Sequence, residues 1–233
     1  MTPQAPEAAS PTLCARLDAV SKLFGSFAAL RQVSVDLEPG RCYVLIGENG
    51  AGKSTLLRML AGLIRPTLGK VAVFGSSPEQ QRSRIGYMSH APMLYDELTA
   101  LENLRYYASL YAHANIACAC SVKPEAALRA VGLDPSLHRP VSQYSQGMRQ
   151  RASLARVLLS EPEFLLLDEP FSNMDAASAR QMVALMRELS APSHGGDGRT
   201  IVLTTHQPEL ARPIADYFLT MRAGQIVSSE GFA

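Results

Sequence analysis

One glycine-rich stretch, residues 47–55, restricts the possible folds of this chain most strongly. It has glycine at its first and sixth positions and then Lys and Ser, the pattern of a phosphate-binding loop. An apolar, β-rich segment, 42–46, precedes it, and good helix formers, 56–61, follow it. A glycine-rich turn with a chance lysine would need neither flank, so this context favours a loop between a buried strand and a helix. The residues concerned are Gly47, Glu48, Asn49, Gly50, Ala51, Gly52, Lys53, Ser54 and Thr55.

The residue types of this loop suit a nucleoside triphosphate. Glycines let the backbone curl so that successive N–H groups point at phosphate oxygens, and the helix start adds the positive end of its dipole. Lys53 can reach the β and γ phosphates, and the Ser54 hydroxyl can bind Mg²⁺. The loop therefore predicts a nucleotide site.

Polar side chains end two further apolar runs. Residues 164–167 are continuously apolar, as in a parallel strand buried on both faces, and end in Asp168 and Glu169. Asp168 is placed to coordinate Mg²⁺, and Glu169 to hold or deprotonate an attacking water. Alternatively, the acid pair caps the following helix. Residues 201–205 end in His206, which can donate to a γ-phosphate, although a single histidine is more often structural.

The remaining elements outline one α/β core. Residues 13–18 and 33–37 predict an early antiparallel piece. Between them, Phe24 could stack on a nucleobase or be a plain core phenylalanine. Residues 65–70 predict a break before a strand at 71–75. From 99 to 157 the pattern is mainly helical, and strand signals then resume, which favours a helical lobe inserted between core strands.

Length and composition set the domain prediction. The 233 residues, 47% hydrophobic, suffice for one α/β core with a smaller inserted lobe. We predict a flexible tail at 1–12, which holds three prolines and no apolar run, and a single domain over 13–233. Its core would span 13–91 and 160–233, and its helical subdomain about 92–159.

Charge, hydropathy and cysteines exclude several classes. A net charge of +1 predicts no nucleic-acid or anionic-membrane partner. No stretch approaches the ~18 apolar residues of a membrane span, so any membrane role needs a partner. The cysteines lack paired zinc spacing and fit a reduced, cytosolic setting. They are Cys14, Cys42, Cys118 and Cys120.

A third stretch, residues 144–151, discriminates among nucleotide-binding classes. Ser145 can cap a helix that starts near Gly147, which leaves a serine, a glycine amide and a helix N-terminus free to face an anion. Because the glycine-rich loop already has a nucleotide, this second anion site suits a phosphate held by a second subunit.

Here the sequence resembles the ATP-binding cassette (ABC) ATPase family over nearly its whole length, with the motifs in the family's order. Ser145, Gln146, Gly147 and Met148 resemble the family signature, normally Ser-Gly-Gly-Gln, and depart from it in a form similar to many exporter cassettes. The resemblance implies further roles: Asp168 organises Mg²⁺, Glu169 is the catalytic base, His206 is the switch histidine, Phe24 stacks on adenine, and Asp175 ends a loop crossing the dimer interface.

The resemblance also implies architecture, cofactors and partners. The fold would be an α/β P-loop NTPase (RecA-like) core with an N-terminal antiparallel β piece and an inserted helical subdomain. ATP and Mg²⁺ would bind between two cassettes, arranged head to tail, the second being another copy or a homologous ATPase subunit. Integral membrane permease subunits would hold the pair at the cytoplasmic face of the membrane.

One position, His90, departs from the family pattern. Where the family usually has a glutamine that contacts Mg²⁺, this chain has His90, which we expect to bind the metal or its water shell as a neutral imidazole. His90, with residues 98–104 and 203–208, resembles the ATP-binding subunit of the haem exporter of cytochrome c maturation. An exporter of drugs, polysaccharide or lipid stays open, as does a soluble cassette acting on ribosomes, DNA or metal clusters. Soluble relatives often carry two fused cassettes or long arms, so a single cassette favours a transporter.

Overall fold

The structure, a computed structural model, describes residues 13–113, 122–191 and 198–232. The predicted tail at 1–12, Cys118 and Cys120 lie outside the described residues. The strands are β1 Ala15–Phe24, β2 Phe27–Leu37, β3 Cys42–Ile46, β4 Leu68–Val73, β5 Ile85–Met88, β6 Phe164–Asp168, β7 Thr200–Thr204, β8 Tyr217–Arg222 and β9 Gln225–Gly231. The helices are α1 Lys53–Leu60, α2 Ala100–His113, α3 Pro124–Ala130, α4 Gln146–Leu158, α5 Ala176–Ser190 and α6 Pro208–Ala211. Short 3₁₀ turns cover Pro78–Arg84, Val141–Gln143 and Arg212–Ile214.

A six-stranded sheet in the order β5-β6-β7-β3-β8-β9 forms the centre. Its first five strands are parallel, and β9 pairs antiparallel to β8. Both faces are covered, which explains the continuous apolar runs. In β6, Leu165 and Leu167 pack in the core that includes the helices α2 to α5, whereas Phe164 and Leu166 pack in the core shared with α1 and the second sheet.

The second sheet is antiparallel, in the order β2-β1-β4. The early antiparallel piece is confirmed, but its strands are longer than predicted: β1 runs on to Phe24, which pairs with Phe27 across a turn at Gly25. The break predicted at 65–70 is wrong in its second half, because β4 begins at Leu68. Gly69 has a left-handed φ of 83°, and a Cβ there would lie 2.5 Å from backbone oxygens of β1. The glycine therefore permits close strand approach rather than ending the strand.

The predicted helical segment contains α2, α3 and α4, which pack on one another through buried side chains such as Leu104, Leu128 and Leu154. The predicted boundaries of core and helical subdomain stay a prediction. Among the helices of the described residues, none combines the length and apolar character needed to span a membrane.

Candidate functional site

The glycine-rich loop turns from the end of β3 into α1 under tight constraint from its neighbours. Gly47 has φ 148°, and a Cβ there would lie 2.3 Å from the Met221 carbonyl oxygen of β8. Gly52 has φ 104°, and a Cβ there would lie 2.6 Å from the Ala29 carbonyl oxygen of β2. Gly52 makes no side-chain cap bond to α1. The first-turn N–H groups of α1 are therefore left without a side-chain partner at the cap.

A pocket of about 500 Å³ opens beside this helix start. It brings together most of the predicted site residues from four separate parts of the sequence. Those lining it are Asn49, Gly50, Ala51, Gly52, Lys53, Ser54, Thr55, His90, Asp168, Glu169 and His206, joined by Phe27, Ala29 and Ser172. Gly47 and Glu48 instead line a groove on the other face of the loop. Phe24, Ser145, Gln146, Gly147 and Asp175 are not among the lining residues.

Lys53 lies along the loop with its side chain largely buried. Its Nζ donates hydrogen bonds to the carbonyl oxygens of Gly47, at 2.7 Å, and Glu48, at 3.0 Å. The ammonium charge is thereby held next to the start of α1, where the helix dipole is also positive. Both features favour an anionic ligand.

Asp168 ends β6 almost fully buried, with 3% exposure. Its Oδ1 accepts hydrogen bonds from Ser54 Oγ, at 3.0 Å, and Thr204 Oγ1, at 2.8 Å. Thr204 also accepts a hydrogen bond from the Glu169 amide at 2.9 Å. Sequence reasoning missed Thr204, since a β-branched residue in a buried strand gives no functional signal of its own. Hydroxyl and carboxylate oxygens side by side are the ligand chemistry that suits Mg²⁺.

Glu169 has a left-handed φ of 53°, an uncommon conformation for a residue with a side chain. Its Oε2 accepts a hydrogen bond from the His206 amide at 3.2 Å. Its Oε1 is buried and has no hydrogen-bond partner among the described residues, although His206 Nε2 lies 3.2 Å away. The alternative in which the acid pair caps the following helix is wrong, since Asp175 caps α5.

The predicted histidine and aromatic residues differ in whether they line the pocket. His90 is exposed and lines the pocket. Phe24 lies at the end of β1, half exposed, with Lys22 Nζ 5.2 Å from its ring centroid. Phe27, opposite it in the hairpin, is the aromatic residue that lines the pocket, and sequence reasoning missed it. Adenine stacking by Phe24 stays a prediction.

The predicted signature residues lie elsewhere, where α4 and α5 begin. Ser145 Oγ accepts a hydrogen bond from the Met148 amide at 3.3 Å, so the predicted cap is confirmed, and α4 begins at Gln146. A Cβ on Gly147 would lie 2.8 Å from Ser178 Oγ, which places the two helix starts in contact. Asp175 accepts from the amides of Ala177 and Ser178.

Three further titratable groups have shifted pKa values. Hydrogen bonds from the Ser178 amide and hydroxyl lower the pKa of Asp175. Burial raises the pKa of Cys14 to about 11 and of Cys42 to about 12, so both remain thiols at neutral pH. In the parts of the chain that the structure describes, no group of three or more His, Cys, Asp or Glu could hold a metal ion.

The profile of a family described as "ABC transporter" matches residues 30–172, and an AAA-domain profile matches residues 134–212. The chain belongs to the ABC transporter family. It is 36% identical over 220 residues to the Fe(3+) ions import ATP-binding protein FbpC of Rhizobium etli, covering 93% of this chain and 60% of that protein. It is 38% identical over 204 residues to a fluoroquinolones export ATP-binding protein of Mycobacterium tuberculosis, covering 86% and 64%.

Solved structures of ABC cassettes share the fold. A dimeric post-hydrolysis ATP-binding cassette, MJ0796 with ADP and Pi, matches with a TM-score of 0.80 and 25% identity, covering 94% of this chain and 99% of that one. An ATP-binding subunit of an ABC transporter matches with a TM-score of 0.77 and 29% identity, covering 95% and 90%. The predicted ABC family and P-loop fold class are thus confirmed. The chain spans about 60% of the length of the two relatives named above.

Proposed function

We propose that this chain is the ATP-hydrolysing subunit of a membrane transporter. The observation that carries the proposal is the pocket in which the uncapped start of α1 and Lys53 face Asp168 and Glu169. A cation and free amides at one wall suit the phosphates of ATP, and carboxylates at the other suit hydrolysis.

The phosphates would lie against the amides of α1 and the Lys53 ammonium. Ser54 and Asp168, whose oxygens already meet at 3.0 Å, would hold Mg²⁺. Bound there, the ion would neutralise charge on the phosphates. Thr204 keeps Asp168 in place through its 2.8 Å hydrogen bond.

Glu169 is the general base of the proposed reaction. Its Oε1, which is buried and accepts no hydrogen bond from the described residues, is the acceptor available for a proton of the attacking water. The amide of His206 fixes the other carboxylate oxygen, and Thr204 fixes the Glu169 backbone. A neutral His206 ring at this position can donate to the γ-phosphate.

The test is the Glu169→Gln variant, which keeps size and removes the base. We expect ATP affinity within about threefold of the parent and hydrolysis lowered at least ~100-fold, since base catalysis contributes about 10²–10⁴ in rate. Calorimetry and phosphate release measure the two quantities. Glu209→Gln, at an exposed position in α6, is the matched control and should hydrolyse normally. A Glu169→Gln variant of full activity would exclude this base, and a parent that binds no ATP would refute the function.

The proposed working form is a head-to-tail pair of cassettes. Within one chain, Ser145, Gly147 and Asp175 lie outside the pocket that holds Lys53, so a second copy or a homologous subunit would have to supply them. A similar solved cassette is described as dimeric. We expect Glu169→Gln to dimerise on adding ATP, measured by light scattering. A monomer at saturating ATP would contradict the pairing.

The partners of the pair would be integral membrane permease subunits, which would place the chain at the cytoplasmic face. Named relatives serve import of Fe(3+) and export of fluoroquinolones, so the cargo does not follow from them. The haem-exporter-like role in cytochrome c biogenesis rests on His90 and the run 203–208; another exporter is the alternative. Affinity purification from detergent-solubilised membranes tests both: recovery of haem-handling proteins supports the first, and a permease without them supports the second.

A further inference from the structure

The short loop that carries His90 is anchored to the helices by side chains outside the pocket. It leaves the central sheet at Met88, which is fully buried at the end of β5. Beyond His90, the Pro92 carbonyl accepts a 2.8 Å hydrogen bond from Ser153 Oγ of α4. The next carbonyl, of Met93, accepts a 2.6 Å hydrogen bond from the Tyr107 hydroxyl of α2. Two adjacent carbonyls are thus held by two different helices.

A further anchor lies at Tyr95, two residues after Met93. Asn103 of α2, completely buried, accepts from the Tyr95 amide at 2.7 Å and donates to the Tyr95 carbonyl at 3.0 Å. On the other side, Met88 pairs with Leu167 of β6. Only residues 89–91 therefore separate the part of the chain held by the sheet from the part held by the helices.

The segment 89–91 is short. Consecutive Cα atoms are about 3.8 Å apart, so His90, which is one residue from each end of the segment, can move little while both ends are held. Within it, Ser89 Oγ donates to the Ala91 carbonyl at 2.6 Å. Met93 has a left-handed φ of 54°, which a residue with a side chain keeps only where its surroundings hold it. Loss of a helix anchor should therefore let the segment relax and shift His90.

We propose that Ser153 and Tyr107 are positioning residues that fix His90 in the nucleotide pocket. Ser153 is fully buried in α4 and donates to the loop. Tyr107 is half-buried, and its ring also receives the Arg156 guanidinium, 5.1 Å from the centroid. Neither side chain lines the pocket, so the effect that we propose for each on ATP is indirect and passes through the loop. The proposal rests on the proposed ATPase function for its kinetic consequences but not for the anchoring itself.

Hydrogen–deuterium exchange tests the anchoring without activity. Ser153→Ala and Tyr107→Phe, measured without nucleotide, should each raise exchange of the Tyr95 amide about tenfold. This amide donates to Asn103 next to the lost anchor, and a lost anchor makes local opening easier. Peptides covering the glycine-rich loop should exchange as in the parent. Tyr107→Phe keeps the ring, so it serves if Ser153→Ala does not fold. Unchanged exchange of the Tyr95 amide in a folded variant would overturn the proposal.

A double-mutant cycle in ATP hydrolysis tests the route through His90. Each variant should lower kcat about three- to tenfold alone but less than twofold when His90 is already alanine, because residues acting through one group are not additive. Ser160→Ala, which loses only a bond to Val157 at the end of α4, is the control and should hydrolyse normally. An equal loss in both backgrounds would mean a structural role only. A parent without ATP hydrolysis would refute the proposed function, while the exchange result would still decide the anchoring.

Discussion

The starts of α1 and α4 are the same backbone feature used in two different ways. The residue before α1, Gly52, makes no side-chain cap bond, and the helix opens on a pocket beside Lys53. The residue before α4, Ser145, caps its own helix, and Gly147 packs against Ser178 of α5. Every helix start carries exposed donors and a positive dipole end. The neighbours decide whether it receives a ligand or makes contacts within the chain.

The largest effect should come from removing the charge at the open start. Lys53 is the only lysine or arginine among the described residues that line the pocket. Lys53→Ala should weaken ATP binding at least ~100-fold, because charge-assisted contacts to phosphate are lost. Calorimetric titration measures this. Lys70→Ala, at an exposed position in β4, is the control and should bind ATP like the parent. If Lys53→Ala and Lys70→Ala bind ATP equally well, the start of α1 is not the phosphate site that distinguishes it from the start of α4.

The next largest effect concerns the close contact at α4. Gly147→Ala places a methyl group 2.8 Å from Ser178, so we expect a loss of about 1–3 kcal/mol in the free energy of unfolding by urea. Adding Ser178→Gly removes the opposing atoms and should restore part of that loss, after allowance for the cost of Ser178→Gly alone. If Gly147→Ala unfolds like the parent, the two helix starts are not in firm contact.

The cap of α5 should show a smaller effect that depends on pH. Hydrogen bonds from Ser178 lower the pKa of Asp175, so its stabilisation is complete above the unfolded pKa and is lost as the pH falls through the folded one. Asp175→Ala should lower Tm by about 2–4 °C at pH 7. The difference from the parent should close in acid below about pH 4. A gap that is constant with pH would mean that the charged cap contributes nothing.

The smallest effect on stability should follow from Ser145→Ala. The bond it removes is long, 3.3 Å, so we expect a loss near ~0.5 kcal/mol, at the low end for a helix cap. Urea unfolding measures this. The variant becomes informative when combined with Glu169→Gln: loss of the ATP-dependent dimer with unchanged folding would show that Ser145 acts on a second chain. An intact dimer would leave Ser145 as a cap alone.

The sequence was sufficient where a local pattern is also a physical requirement. Residues 47–55 could be interpreted because each glycine answers a backbone requirement: Gly47 and Gly52 lie close to backbone oxygens of neighbouring strands, and Gly50 has a left-handed φ of 80°. Asp168 and Glu169 stood out because a carboxylate directly after a buried apolar strand is costly unless it has a partner. The strand–loop–helix around the glycines, and the grouping of Lys53 with Asp168 and Glu169 in one pocket, followed from such signals.

Features that depend on register between distant segments could not be found this way. Thr204 matters because β7 places it opposite Asp168, and nothing in its own segment says so. Phe27 rather than Phe24 lines the pocket because the β1–β2 turn sets which ring faces inward. Ser153 looks like any small residue of a helix until its hydroxyl meets Pro92.

The position of β3 has a consequence for synthesis of the chain. Its two neighbours, β7 and β8, pair with it from far along the sequence, as Cys42 does with Ile201 and Tyr43 with Tyr217. The glycine-rich loop is also held by a residue near the end of the chain, because the Gly224 amide donates a hydrogen bond to the Ala51 carbonyl. A ribosome therefore translates the nucleotide loop long before its sheet can close, since contacts so distant in sequence form late. The emerging chain carries the motif but has no site until the β8–β9 hairpin has left the ribosome.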